Sequence, residues 1–124
     1  MGRRGEMGRC ALIDQETEGI LCGTGSLFIR PNPQCILPLF LCKVLSSGSK
    51  KSELERLAWG VTMPNLNLEK IENLSIPLPP LSLQRRFASI VEAAERQKAR
   101  LRAHLDELNA LFSSLQSRAF NGEL

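Results

Sequence analysis

A chain of 124 residues with 43% apolar side chains holds one domain at most, with room for an appendage, and is too apolar to be disordered. An aromatic content of 5%, with no Tyr, argues against a stacking platform for single-stranded nucleic acid. A formal charge of +3 is compatible with a polyanionic partner but too mild to demand one.

Residues 1–34 read as short strands joined by glycine turns. "CALI" and "GILC" flank the polar turn former "DQETEG", and "SLFIR" follows "GTG". "RPNP" then breaks the strand. Pro38 suits the first turn of a helix running to about Ser47, with Phe40, Leu41, Val44 and Leu45 on one face. "SSGSKK" reads as a loop, after which Ser52 and Glu55 form a capping box for a short helix that turns Leu54, Leu57 and Ala58 inward. "WGVTMPNLN" is a further loop, with Trp59 serving core packing, and Asn67 caps a third short helix that buries Leu68 and Ile71. "LSIPLP" is extended, because Pro77 and Pro79 turn the residues before them away from helical backbone. Residues 1–81 are thus expected to be a compact mixture of strands and short helices, and the fold class is α+β.

From Ser82, the expected N-cap, no Gly or Pro appears until the stop signal "NG" at 121–122. That leaves a helix of about 38 residues, roughly 57 Å long at about 1.5 Å per residue. Phe87, Ala94, Leu101, Leu108 and Leu115 recur every seven residues. Val91, Lys98, Leu105, Phe112 and Ala119 recur on the second seam position, so nine of ten seam residues are apolar, with Lys98 as the polar break. Ile90 and Leu111 widen the stripe, as packing on more than one neighbour would require. A globule of about 80 residues spans only about 25–30 Å, so the helix (82–124) must find its partner elsewhere and pair as a coiled coil.

Catalytic patterns are missing. The cysteines Cys10, Cys22, Cys35 and Cys42 lack the paired short spacing of a zinc site and read as buried, reduced thiols of a cytoplasmic protein. "GTGS" has no phosphate-cradle continuation, no Ser lies in G-x-S-x-G, and the single His104 sits on a flank of the long helix. "RPNP" lacks the second proline and the aromatic of the Asn-Pro-Pro-aromatic motif of amino-methyltransferases. "PLPPL" has the spacing of a polyproline ligand but joins two structured elements rather than lying in a free tail. The longest apolar run, "CILPLFLCKVL", is too short and interrupted to span a membrane, and the basic start has no hydrophobic segment of a signal peptide behind it. No metal or cofactor is expected on this chain.

"IPLPPLSLQRRFASIV", followed by a long Leu-rich helix ending "LFSSLQSRAFNGEL", resembles the conserved helical region of type I restriction–modification specificity subunits. In that family an "iPlPPl-x-x-Q" segment closes a target-recognition domain and opens a helix. "RRGEMGRCALI", "GTGSLFIRPNP" and "GVTMPNLNLEKIENLSI" are similar to the later half of such a domain. The resemblance implies a non-catalytic subunit that reads one half of a split double-stranded DNA sequence. Long helices pair antiparallel, set half-site spacing and hold methyltransferase subunits, which use S-adenosylmethionine to methylate adenine N6. A separate ATP-driven motor subunit cleaves unmodified DNA. Half-size members act as homodimers through the helix. Residues 1–81 are about half the length of a family recognition domain, which implies a truncated subunit, whether a fragment, a gene remnant or a mispredicted start.

By position, Arg3, Arg4, Arg9, Lys50 and Lys51 are candidates to neutralise phosphates, and Thr62 and Asn65 to read base edges. Asn67 is better read as a helix cap. Phe87, Val91, Leu101, Leu105, Leu108, Phe112 and Leu115 are the expected helix-pairing residues. The competing reading is a coiled-coil interaction module with no nucleic-acid role.

Overall fold

The computed structural model describes residues 1–5, 7–13, 17, 19–58 and 65–123. Its helices are α1 (Pro38–Leu45), α2 (Gly48–Leu57), α3 (Leu68–Glu72) and α4 (Leu81–Phe120). The chain divides into two compact units, Met1–Phe87 and Ala88–Leu124, with the break inside α4.

The strand expectation is corrected. Among the described residues, pairing is confined to two isolated antiparallel bridges, Gly2 with Ser26 and Arg4 with Asn65. "SLFIR" meets the first residues of the chain rather than a hairpin neighbour: the Met1 amine donates to the Leu27 carbonyl and Leu27 N–H donates back to Met1, each at 2.9 Å. A strand exists only where a second segment completes its ladder. "CALI" and "GILC" find none among the described residues, so the α+β description holds for the helices far more than for the sheet. "DQETEG" falls largely outside the described residues.

Local chemistry explains how the chain turns into α1. The Asn32 side-chain oxygen accepts from Gln34 N–H at 3.0 Å, and the Asn32 carbonyl accepts from Cys35 and Ile36 N–H at the same distance. That Asx turn delivers Pro38 to the first helical position, where its missing N–H costs nothing. Helix α2 starts earlier than expected. Ser47, not Ser52, is the N-cap, with its hydroxyl accepting from Lys50 N–H, so "SSGSKK" is mostly helix. Asn67 occupies the N-cap position of α3 without a side-chain cap bond, and Leu68 is exposed rather than buried, while Ile71 is half-buried. The thiols also depart from expectation: Cys22 and Cys35 are exposed, Cys10 and Cys42 half-buried, and all four are free.

Among the described residues, the core of the first unit gathers around three side chains. Met7, Leu54 and Leu66 form its centre, with Met1, Leu57, Ala58, Ile71 and Leu74 around it. Phe40, Leu41 and Leu45 of α1 are buried alongside, and Phe87 meets Phe40 edge to face with ring centroids 5.6 Å apart.

Helix α4 begins one residue before the expected cap. The Pro80 carbonyl accepts from Leu83 and Gln84 N–H, so Ser82 lies inside the first turn. Gln84 in that turn has no solvent exposure, and all its polar atoms are used. Its Oε1 accepts from Leu37 N–H at 2.8 Å, and its Nε2 donates to the carbonyls of Cys35 at 3.0 Å and Pro79 at 2.8 Å. The far end closes as "NG" predicts: Gly122 has φ 73°, Glu123 N–H bonds to Arg118 O, and Gly122 N–H bonds to Ala119 O. That is a Schellman close, which a residue with a Cβ would strain.

Replacing Gln84 by Glu tests the lock. The introduced carboxylate would face two carbonyl oxygens and have nothing to donate, so folding raises its pKa above the unfolded value of about 4.3. The stabilising protonated form is therefore fully present below about pH 4.3 and lost as pH rises through the folded pKa. The expected result is a melting-temperature gap to the parent chain that is small near pH 4.5 and widens by pH 7. For Gln84→Leu, the gap should be independent of pH.

Candidate nucleic-acid interface

Of the residues that sequence reasoning singled out for DNA, three come together. The 1–4 segment runs between residues 25–27 and 65–66: Arg3 N–H donates to Gly25 O at 2.9 Å, and Arg3 O accepts from Leu66 N–H at 3.1 Å. Leu66 is fully buried, which anchors the neighbouring Asn65. Arg4 bridges Asn65 through the backbone, and Arg3 Nε donates to Asn65 Oδ1 at 3.3 Å. A guanidinium, a second exposed Arg and a carboxamide therefore share one place, 62 residues apart in sequence.

A second pair is drawn near by a close backbone approach. Gly8 is buried with φ +74°, and a Cβ there would come within 3.0 Å of Leu54 Cδ1 and 3.8 Å of Lys51 Cα. The turn at Gly8 thus lies against α2 near the Lys51 backbone, and both Lys51 and Arg9, the residue after Gly8, are exposed. Lys50 stands apart from this group. Its ammonium is held by Glu53 Oε2 at 2.6 Å and by the Ser75 carbonyl at 2.5 Å, tying α2 to the start of the proline segment. Thr62 and Trp59 lie outside the described residues.

The expected pairing residues on α4 are of two kinds. Phe87 packs on Phe40 within its own unit. In the second unit Val91 is half-buried, whereas Leu101, Leu105, Leu108, Phe112 and Leu115 are exposed, Phe112 to 67%. Lys98 reaches Glu95 at 3.3 Å on the helix surface.

Chemistry beyond binding is sparse among the described residues. No cluster of three or more His, Cys, Asp or Glu forms a metal-holding group, and no helix is long and apolar enough to cross a membrane. Burial, and then the neighbouring Cys42, push the Cys10 thiol up, so it stays protonated and a poor nucleophile.

Two features escaped sequence reasoning. Gln84 reads as an ordinary surface residue by type, and its only signal is the fixed position after the prolines. The tie from Lys50 is half-visible in the spacing to Glu53, while Ser75 is invisible from sequence.

Gly8→Ala should cost about 1–3 kcal/mol through its left-handed backbone, and more if Leu54 cannot move. Urea unfolding of the full chain, followed by far-UV circular dichroism, measures it.

Comparisons with known proteins agree with one another. The family model described as the type I restriction modification DNA specificity domain matches residues 1–110. A Methanocaldococcus jannaschii protein, provisionally named the type I restriction enzyme MjaX specificity subunit, is 26% identical over 115 residues, covering 92% of this chain and 27% of its own length. The type I restriction enzyme EcoBI specificity subunit of Escherichia coli is 28% identical over 124 residues, covering 97% of this chain and 26% of its own length. The chain thus spans about a quarter of the length of the curated relatives it matches. No solved structure matches it.

Proposed function

The chain belongs to the family of type I restriction modification DNA specificity domains, a non-catalytic family, and from that premise we propose that it is a DNA-recognition polypeptide of such a system. In this reading the first unit contacts one half of a bipartite double-stranded site. The seam of α4 docks a methyltransferase subunit, with a motor subunit joining the assembly. S-adenosylmethionine and ATP then belong to those partners. The observation that carries the reading is the family match over residues 1–110, which includes both the Arg3–Arg4–Asn65 cluster and the α4 seam through Leu108.

The geometry supports a division of labour. Arg4, Arg9 and Lys51 are exposed cations suited to phosphates, giving salt-dependent affinity without sequence preference. Lys50 is a weaker candidate, because reaching a phosphate means giving up Glu53 and Ser75. Asn65 carries the donor and acceptor that base reading needs. The row of exposed leucines on α4 supports a helical partner, either the methyltransferase or a second copy of the chain. The same row also favours the second reading, a helix-pairing module indifferent to DNA.

Charge reversal at Arg4 or Lys51 separates the two. Gel shifts with duplex DNA at several salt concentrations should show weaker binding, and a log–log salt slope shallower by about 0.9 for each phosphate no longer neutralised. Equal binding by the parent chain and both variants would remove Arg4 and Lys51 from the DNA-facing surface, and absence of binding throughout would leave the helix-pairing module. On the seam, Leu105→Asp or Leu108→Asp should abolish co-purification with the methyltransferase and any self-association in sedimentation, because pairing would bury an unpartnered carboxylate. A variant that assembles normally removes that face from the interface.

A further inference from the structure

Arg3 is bonded in a way that a phosphate-neutralising cation does not need. Its backbone is held on both sides, by Gly25 and by Leu66, and its Nε is spent on Asn65 Oδ1 rather than left free. Asn65 in turn precedes the fully buried Leu66, and its backbone is bridged to Arg4. Both residues are half-buried, so each is still partly reached by solvent, and the bond between them ties the two side chains together. One lone pair of Oδ1 is occupied by Arg3. The second lone pair and both Nδ2 hydrogens have no partner among the described residues. An acceptor beside a donor, in one plane, is the pattern that pairs with the N6–H and N7 of adenine in the major groove.

We infer that Arg3 is a positioning residue which, through Nε, holds the Asn65 carboxamide in the plane that reads an adenine, and that Asn65 determines specificity at one base pair. This rests on the DNA-recognition reading above and deepens it by naming the base. Arg3 then contributes chiefly orientation, while its neighbours supply charge.

The test uses the full chain and a pool of duplexes with randomised positions, sequenced before and after capture. The parent chain should enrich adenine at one position by about 10- to 100-fold, the range of one good bidentate pair. Asn65→Asp keeps the bond from Arg3 but can only accept, so its preference at that position should move from adenine to cytosine, whose N4 amine donates. Arg3→Lys keeps the charge and loses the planar fork. It should flatten the preference about 10-fold or more while leaving the salt slope unchanged, whereas a purely phosphate-neutralising Arg3, whose charge Lys preserves, would lose neither preference nor slope. Circular dichroism checks that each variant folds as the parent does. Retention of the adenine preference by Asn65→Asp overturns the base assignment. Full discrimination by Arg3→Lys overturns the positioning role. A parent chain that binds duplex DNA without selecting any sequence removes the specificity reading itself.

Discussion

A carboxamide with no access to water must find a partner for each polar atom, at a penalty of about 1–3 kcal/mol for each one left unmet. Gln84 is such a group, and the first unit is arranged around meeting its needs. Its three bonds reach Cys35, the α1 cap residue Leu37, and Pro79 at the end of the proline segment. From Leu37 the chain runs through α1 and α2 to Lys50, whose ammonium holds Ser75 at the other end of that segment. The path therefore closes on itself: first turn of α4, α1, α2, proline segment, and back to α4. Among the described residues few apolar side chains are fully buried, so these polar bonds carry much of what fixes the segment's register. The closed path is polar, directional and specific about register.

How far the sequence foretold this depends on whether the information was local. Pro38, the Leu-rich heptads and the "NG" stop act within a turn or two of themselves, and α1 and α4 appear within a residue or two of where these signals place them. The start of α2 hung on a choice between Ser47 and Ser52. Leu54 faces Met7 and Leu66 from either start, so the choice is visible only in the bond from Lys50 N–H to the Ser47 hydroxyl. The strands failed for a different reason. "CALI" and "GILC" have the right composition, but a ladder needs a neighbour, and composition does not say whether one is at hand. Gln84 was the most hidden of all, because a polar residue type gives no hint of full burial.

The candidate site shows the same split. Arg3, Arg4, Lys50 and Lys51 look interchangeable by residue type. Folding sorts them by what else lies within reach: Lys50 is drawn into the frame, Arg3 is turned toward a carboxamide, and Arg4 and Lys51 are left facing outward. Clustered charge in a sequence therefore marks a region, and the hydrogen-bond geometry assigns the separate tasks within it. Asn65 was legible as a residue able to read bases. That it stands beside Arg3 was not, since a bridge between residues 4 and 65 is a product of the whole unit.

The prolines beside Gln84 have one more effect. In an extended backbone, alternate residues point their N–H groups to the same edge, so Pro77 and Pro79 leave one edge of this segment without a donor. Two carbonyls on that edge are also already engaged, Ser75 by Lys50 and Pro79 by Gln84, so a foreign strand finds no ladder to extend there. Elsewhere in the unit, Ala11, Leu12 and Ile13 make no hydrogen bond among the described residues and are exposed. That stretch is open to edge-to-edge association, whereas the proline segment resists it. The segment that fixes where the long helix begins thus also guards one flank of the unit against aggregation.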